Sequence, residues 1–468
     1  MAGVVLVLDL GGHAARCFAY LASGERLAQS MEPIATAHPA RGRVEHDAAA
    51  LLQACRQSIG AVLAQLQPPE QGVPLAISCQ RASVLAWSRD DCRPLSPVLS
   101  WQDSRAADRI EACRQHWPEL QRISGLRPNA FVGASKLGWL VEHVDGLRVR
   151  LQTGQALIGP LASFLQQALI GEAQARCAYT LAQRSLLFDI QRLTWSASAC
   201  ALFGLRADWL PRPQPDVQVE LFGSLPWSTA TSLRCELQAG DQNLLPAALS
   251  EHGTSPTIIN LGTGAFVLSP GEAGPGLLRS LLPTADTPDA TAEGTVNAAG
   301  AAFEWLAKQR HWHSTPWQAI RSPGRDAPLC LPAPSGLGSP DWRALPRFEF
   351  SAEPADDAAA ISAVAEGIAF LLRRNIDCMR AAGSDPIALG GGLSRSEDFC
   401  QLLANSLQRA LYTVDEDELS AYGAARLLWR IHGIELPAPR VAARFTPNAR
   451  ATRIGEQRYQ RWQAEFFP

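Results

Sequence analysis

A chain of 468 residues is longer than one ordinary core organises, so two domains are expected. With 47% apolar and 19% charged residues, the composition excludes a disordered chain and describes a soluble globular one. The net charge of −3 gives no electrostatic reason to expect nucleic acid or a membrane as partner.

In chain order, Val4 to Leu8 is apolar and rich in β-branched residues, which predicts a strand buried on both faces. Cys17 to Ala22 and Arg26 to Met31 flank Ser23-Gly24-Glu25, the pattern of an antiparallel meander. Asp47 is placed to cap a helix whose stripe is Leu51, Leu52, Cys55, Ile59, Val62, Leu63 and Leu66, with Pro68-Pro69 stopping it. Pro74 to Ser78 reads as a further strand, with Gln80-Arg81 at its end. From about Trp101 to Leu205 the pattern turns helical, notably over Ser135 to Val144 and Pro160 to Ile170. Pro211 to Pro226 reads as a connector, and Pro256 to Leu268 returns to a strand and hairpin signature. The last helices are expected at Ala358 to Arg380, Ser396 to Leu411 and Ala421 to His432. The second half thus repeats the strand, glycine turn, strand and helix of the first. A cut near Leu249 predicts domains over 1–249 and 250–468.

The eleven Cys stand singly, without a C-x-x-C pair or a Cys/His cluster at zinc spacing, which fits reduced thiols in a cytoplasm. No apolar run has the length of a membrane span, and no charged leader precedes an apolar stretch near Met1. A soluble cytoplasmic protein is the expectation.

Four glycine-marked segments carry the chemistry. Asp9-Leu10-Gly11-Gly12 follows the first strand, where glycines free backbone amides for phosphate and a carboxylate suits hydrated Mg²⁺. The same residues also suit a tight hairpin with Asp9 as its cap. The Walker pattern G-x-x-x-x-G-K is absent. Asn260-Leu261-Gly262-Thr263-Gly264 is the counterpart in the second half, with a hydroxyl added by Thr263, and again a plain glycine turn is the alternative. Asp241, in Ala-Gly-Asp-Gln, suits a loop or helix cap, or a base that takes a proton from a substrate hydroxyl. Gly390-Gly391-Gly392 lets a flat ring approach the backbone, with adenine the natural candidate.

Taken in order, these segments and those between them resemble the FGGY carbohydrate kinase family, nearer its glycerol kinase branch than its xylulose kinases. The resemblance runs through Asp9-x-Gly11 with Arg16, Ser78-Cys79-Gln80-Arg81, Trp101-Gln102-Asp103-Ser104-Arg105 and Ala134-Ser135-Lys136-Leu137. It continues through Ser185 to Ile190, Ala239 to Gln242, Gly262 to Phe266, Glu293-Gly294 with Ala299-Gly300-Ala301, Ser335 to Pro340 and Gly391 to Arg395. What it implies is an α/β architecture of two RNase H-like, actin-like ATPase domains with a cleft between them, closing on ATP. By the same resemblance Asp9 sits by Mg²⁺, and Gly11, Gly12, His13 and Arg16 line the phosphate hairpin. Thr263 and Gly264 touch the phosphates, while Gly391, Gly392 and Ser396 border the adenosine. Asp241 is the implied catalytic base, in a substrate pocket of Arg81, Trp101, Phe131, Asp241, Gln242 and Phe266.

The chain departs from that pattern at four places. Gly12-His13-Ala14-Ala15 lacks the hydroxyls that glycerol kinases usually carry there. Ala82 replaces a Glu, Phe131 a Tyr and Ser396 an Asn. The expected activity is ATP- and Mg²⁺-dependent phosphorylation of a primary hydroxyl on a small polyol or sugar. A ketopentose kinase and a weakly catalytic nucleotide- or metabolite-binding protein are the alternatives, and a homo-oligomer is compatible with the family.

Overall fold

The computed structural model describes residues 3–66, 72–171, 174–217, 224–226, 232–251, 254–286, 288–313, 317–343, 346–379 and 386–468. The chain forms two compact units. The first comprises Met1–Ala248 with Ser280–Asp289 and Leu419–Ala438, and the second comprises Leu249–Arg279, Ala290–Glu418 and Pro439–Pro468.

In the first unit, strand β1 (Val4–Leu10) is buried at every residue, as a wholly apolar run requires. It pairs antiparallel with β2 (Ala14–Leu21), which pairs antiparallel with β3 (Arg26–Pro33). On its other side β1 runs parallel to β4 (Val73–Cys79). Beyond β4 lie β5 (Ser224–Pro226) and β6 (Ser232–Gly240), giving the order β5-β6-β4-β1-β2-β3. Strands β1, β4 and β6 are parallel and in near register, so their carboxyl ends emerge together. In parallel sheets that edge is where ligands bind, and here it carries Asp9, Gln80-Arg81 and Asp241.

The helix Ala48–Leu63 covers this sheet with Leu51, Cys55, Ile59, Val62 and Leu63 of the expected stripe, while Leu52 is half-buried and Leu66 lies past its end. Asp47 caps it by accepting the Ala50 N–H at 2.8 Å. Pro68-Pro69 lies outside the described residues. The helix Leu419–Ile431 packs on β1 and β4. It approaches so closely that a Cβ on Gly423 would stand 2.2 Å from the Leu244 carbonyl oxygen. By their contacts residues 280–289 and 419–438 belong to the first unit, where a continuous 250–468 domain was expected. The helices Gly133–His143 and Leu161–Ile170 lie where expected. The sequence did not predict the small sheet of Glu45–His46, Val98–Leu99, Val84–Ser88 and Ala156–Pro160.

The second unit repeats the plan. Strand β7 (Ile258–Leu261) pairs antiparallel with β8 (Ala265–Pro270), and β8 with β9 (Ala290–Val296). On its other side β7 runs parallel to β10 (Ile387–Gly390), and β10 to β11 (Leu411–Val414). An antiparallel strand, β12 (Val441–Phe445), follows β11. Two helix ends differ from expectation. The first helix spans Asp357–Asp377, and Arg380 lies outside the described residues. The second, Glu397–Leu407, ends at a left-handed Gln408 with φ 56°, so Leu411 opens β11 instead of closing the helix.

A final helix, Ala449–Phe466, was not anticipated. Its fully buried Arg458 donates to both oxygens of Glu366, at 2.8 and 2.6 Å, and to carbonyls of Gly324, Ala327 and Pro328. Among the described residues no helix is long and apolar enough to cross a membrane.

Candidate active site

Register builds the first unit's site. Asp9 lies opposite Arg16 on β2 and opposite Ser78 on β4. Its buried carboxylate accepts from Arg16 Nη2 and from Ser78 Oγ, each at 2.6 Å, one bond per oxygen. Pleat alternation aims all three side chains the same way, so the sheet holds the carboxylate rigidly. Beyond Asp9 the chain turns through Gly11, whose N–H donates to the Ala14 carbonyl at 3.2 Å. A Cβ at Gly11 would meet nothing within 4 Å, and one at Gly12 would come to 3.9 Å from the Trp101 indole nitrogen. His13 is exposed, and its carbonyl is pinned by the Ile34 N–H at 2.8 Å. Ala15 is fully buried in β2, so the hairpin presents backbone where hydroxyls were expected.

Asp241 follows β6 at the head of a short 3₁₀ turn, Asp241–Leu244. The Gln242 N–H donates to Asp241 Oδ1 at 2.7 Å and the Gln242 side-chain amide to Oδ2 at 3.3 Å. Arg81 Nε stands 3.8 Å from Oδ1. Burial pushes the Asp241 carboxyl above its ordinary pKa and Asp9 adds to the rise, while Arg81 and the Gln242 amides oppose it. The side chain still keeps 24% of its surface exposed, enough for a ligand to reach it.

Gly240 makes the Arg81 position possible. A Cβ there would fall 2.8 Å from Arg81 Cγ and 2.6 Å from Asn243 Oδ1. Arg81 Nη1 also donates to Asn243 Oδ1 at 3.4 Å, and Asn243 Nδ2 donates to the Leu281 carbonyl at 2.6 Å.

The Trp101-Gln102-Asp103-Ser104-Arg105 segment divides its labour. Asp103 is fully buried, accepts the Val44 N–H at 2.7 Å and pairs with Arg105 at 2.7 Å. Arg105 also reaches Glu45 at 2.6 Å and stacks over Trp139. These two shape the loop, which leaves Trp101 and Gln102 half-buried. The Trp101 N–H is fixed by Ser83 Oγ at 2.9 Å, and the preceding Ser100 carbonyl by buried Lys136 at 2.9 Å. Phe131 stands half-buried in the turn before the Gly133–His143 helix, its own N–H held by Asn129 Oδ1 at 2.9 Å.

The second unit carries the remaining candidates. Thr263 and Gly264 form the β7–β8 turn, and Phe266 lies opposite Asn260 on β8. The Thr263 carbonyl accepts from Ala299 and Ala301, at 2.9 and 3.0 Å, and that of Gly262 accepts from Gly300 at 3.0 Å. The start of the Gly300–Gln309 helix is thereby seated on the turn. Gly391 has φ +85°, and a Cβ on it would strike the Leu261 carbonyl at 2.6 Å and Asn260 Oδ1 at 2.7 Å. Gly392 faces open space. Ser396 accepts the Phe399 N–H at 3.3 Å as a helix N-cap.

Models of the FGGY family of carbohydrate kinases match the chain twice, the N-terminal domain over residues 4–221 and the C-terminal domain over 257–430. The chain belongs to this family. As an FGGY carbohydrate kinase it is an ATP-dependent enzyme with the two-domain actin-like ATPase fold. It is 29% identical to a glycerol kinase of Thermus brockianus, over 98% of this chain and 97% of that one. A Cereibacter sphaeroides glycerol kinase is 27% identical with the same coverages. Among solved structures, Plasmodium falciparum glycerol kinase with ADP superposes with a TM-score of 0.85 at 20% identity, covering 100% of this chain and 99% of that one. A Brucella ovis xylulose kinase superposes at 0.84 with 23% identity, covering 99% and 98%.

For this kinase, sequence reasoning missed Gly240, Asn243 and the pairing of Ser78 with Asp9. The only signal for Ser78 was a hydroxyl two residues before the Gln80-Arg81 pair. Its partner follows from a ladder register that the sequence does not print.

Proposed function

We propose that this kinase transfers the terminal phosphoryl group of ATP to a primary hydroxyl of a small polyol, with Asp241 taking the hydroxyl proton. The observation that carries the reading is the state of Asp241. It is oriented by a backbone amide, faced by Arg81, partly exposed, and raised in pKa toward a useful base. Arg81 and Gln242 offer donors to acceptor hydroxyls, and Trp101 offers a face for the carbon skeleton. Gly11, Gly12 and His13, with Thr263 and Gly264, are proposed to contact phosphates, and Gly391, Gly392 and Ser396 the adenosine; Phe131 and Phe266 complete the acceptor's surroundings.

Asp9 fits hydrated Mg²⁺. Each of its oxygens makes one hydrogen bond and keeps a lone pair, and the adjacent Arg16 favours contact through water over direct ligation. No cluster of three or more metal-binding side chains occurs among the described residues, so the nucleotide would supply the other ligands. Bound there, the ion neutralises phosphate charge.

One residue favours a second acceptor class. Ala82, at φ 61°, puts no carboxylate beside Arg81, which removes a hydroxyl partner and suits a ketose as well as glycerol. Product phosphate should therefore be measured across polyols and ketoses for wild type and Asp241→Ala. One class is expected to be phosphorylated, and the variant to fall by about 10²–10⁴-fold. Unchanged turnover in Asp241→Ala would remove the base from the scheme.

A further inference from the structure

Gln80 is the first residue past β4, with its N–H donating to the Leu10 carbonyl at 2.8 Å. Register sets it between Gly11 on one side and Asp241 on the other, because Cys79 pairs with both Leu10 and Gly240. It follows Ser78 by two residues, so it continues the face on which Ser78 binds Asp9. Its side chain is 3% exposed, yet neither Nε2 nor Oε1 has a hydrogen-bond partner among the described residues. A buried carboxamide with both ends unmet is costly to the fold and is retained where a ligand or bound water completes it. Every polar neighbour on that edge is committed elsewhere: Ser78 and Arg16 to Asp9, Gln242 to Asp241, and Arg81 to Asn243 and Asp241.

We infer that Gln80 is a phosphate-positioning residue of this kinase. Its Nε2 donates to an oxygen of the terminal phosphoryl group, and its Oε1 accepts from a water shared with Asp9. The inference rests on the proposed placement of phosphate at this strand edge. It also supplies a side-chain donor to a hairpin whose Gly12, Ala14 and Ala15 have none.

Gln80→Leu keeps the volume and removes both polar ends. A ligand role predicts that nucleotide-free protein melts at the same temperature or higher, since an unmet buried amide is gone. The same variant should bind MgATP about tenfold more weakly or worse by calorimetry, with MgADP affinity unchanged because ADP lacks the contacted phosphoryl group. Acceptor KM should be unchanged. Wild-type MgATP affinity in Gln80→Leu would overturn the inference, as would a lowered melting temperature with MgATP affinity intact. If Gln80→Leu does not fold, Gln80→Glu decides: a carboxylate there should weaken nucleotide binding more strongly, and unchanged binding overturns the role. Asp241→Ala in parallel separates the two readings. Retained turnover there defeats the base alone, whereas the nucleotide titrations of the Gln80 variants judge only the phosphate contact.

Discussion

Asp241 shows how one side chain is poised against the fold's own interest. Burial raises its carboxyl pKa more than Arg81 and the Gln242 amides lower it, so the folded state favours the neutral form. A base must be ionised, so the acid limb of kcat/KM should fall away at a higher pH than for an ordinary aspartate near 3.9. The stability sign runs the other way. Above the unfolded pKa, holding Asp241 ionised costs the folded state, and that cost persists at neutral pH. Asp241→Asn should therefore abolish most turnover while leaving the melting temperature at pH 7 equal or higher, with Arg81 retaining Asn243. Calorimetry decides, and a clear drop would mean that the Arg81 attraction outweighs burial. Asp9 was singled out because it ends an apolar run beside glycines, and Asp241 by its Ala-Gly-Asp-Gln setting alone. Ser78, Asn243 and the unmet amide of Gln80 were not, because they acquire meaning only across the ladder.

At the scale of elements, two supports stand behind the site. Lys136, on the Gly133–His143 helix, is pushed down to about 7 by burial, with Asp103 opposing the fall and Arg105 adding to it, yet it still donates to the Ser100 carbonyl. Lys136→Met should free the Trp101 peptide and raise acceptor KM severalfold with nucleotide affinity unchanged; steady-state kinetics with both substrates varied will show it. Behind β6, Thr180 Oγ accepts the Gly240 N–H at 3.1 Å and donates to fully buried Asp216. Burial pushes the Asp216 carboxyl up to about 8, against the Thr180 hydrogen bonds. Between its unfolded pKa near 3.9 and 8, the folded state binds the extra proton, so stability falls as pH rises, by about 1.4 kcal/mol per unit. Asp216→Asn should flatten that slope in denaturant titrations at pH 5 to 7.5; an unchanged slope would place the titration elsewhere. The Gly133–His143 helix was legible from periodicity, whereas β6 was not among the expected strands. The small sheet escaped because two of its strands, Glu45–His46 and Val98–Leu99, are only two residues long.

Across the whole molecule, the repeated plan of a hairpin followed by parallel strands was visible as paired glycine turns. The returning segments 280–289 and 419–438 were not, since a helix stripe shows that a face is buried and never against what. The final helix was hidden for a related reason. Ala449–Phe466 is polar on average, and its key buried residue is an arginine. Arg458 bonds both oxygens of Glu366 and the four carbonyls of Gly324, Arg325, Ala327 and Pro328, while Trp462 and Phe466 fill the second unit's core. Arg458→Met would keep much of the stem but leave Glu366 buried without its partner, a loss of about 3–5 kcal/mol. Burial already holds the Glu366 carboxyl above its ordinary range, with Arg458 pulling it down. Removing Arg458 raises it further, so the variant's folded state takes up a proton that the unfolded chain lacks above about pH 4.3. The destabilisation should accordingly be smaller at pH 5 than at pH 8. Melting temperatures of wild type and variant at both values test this. An equal loss at the two would mean that the carbonyl hydrogen bonds, and not the charge pair, make Arg458 the anchor of the last helix.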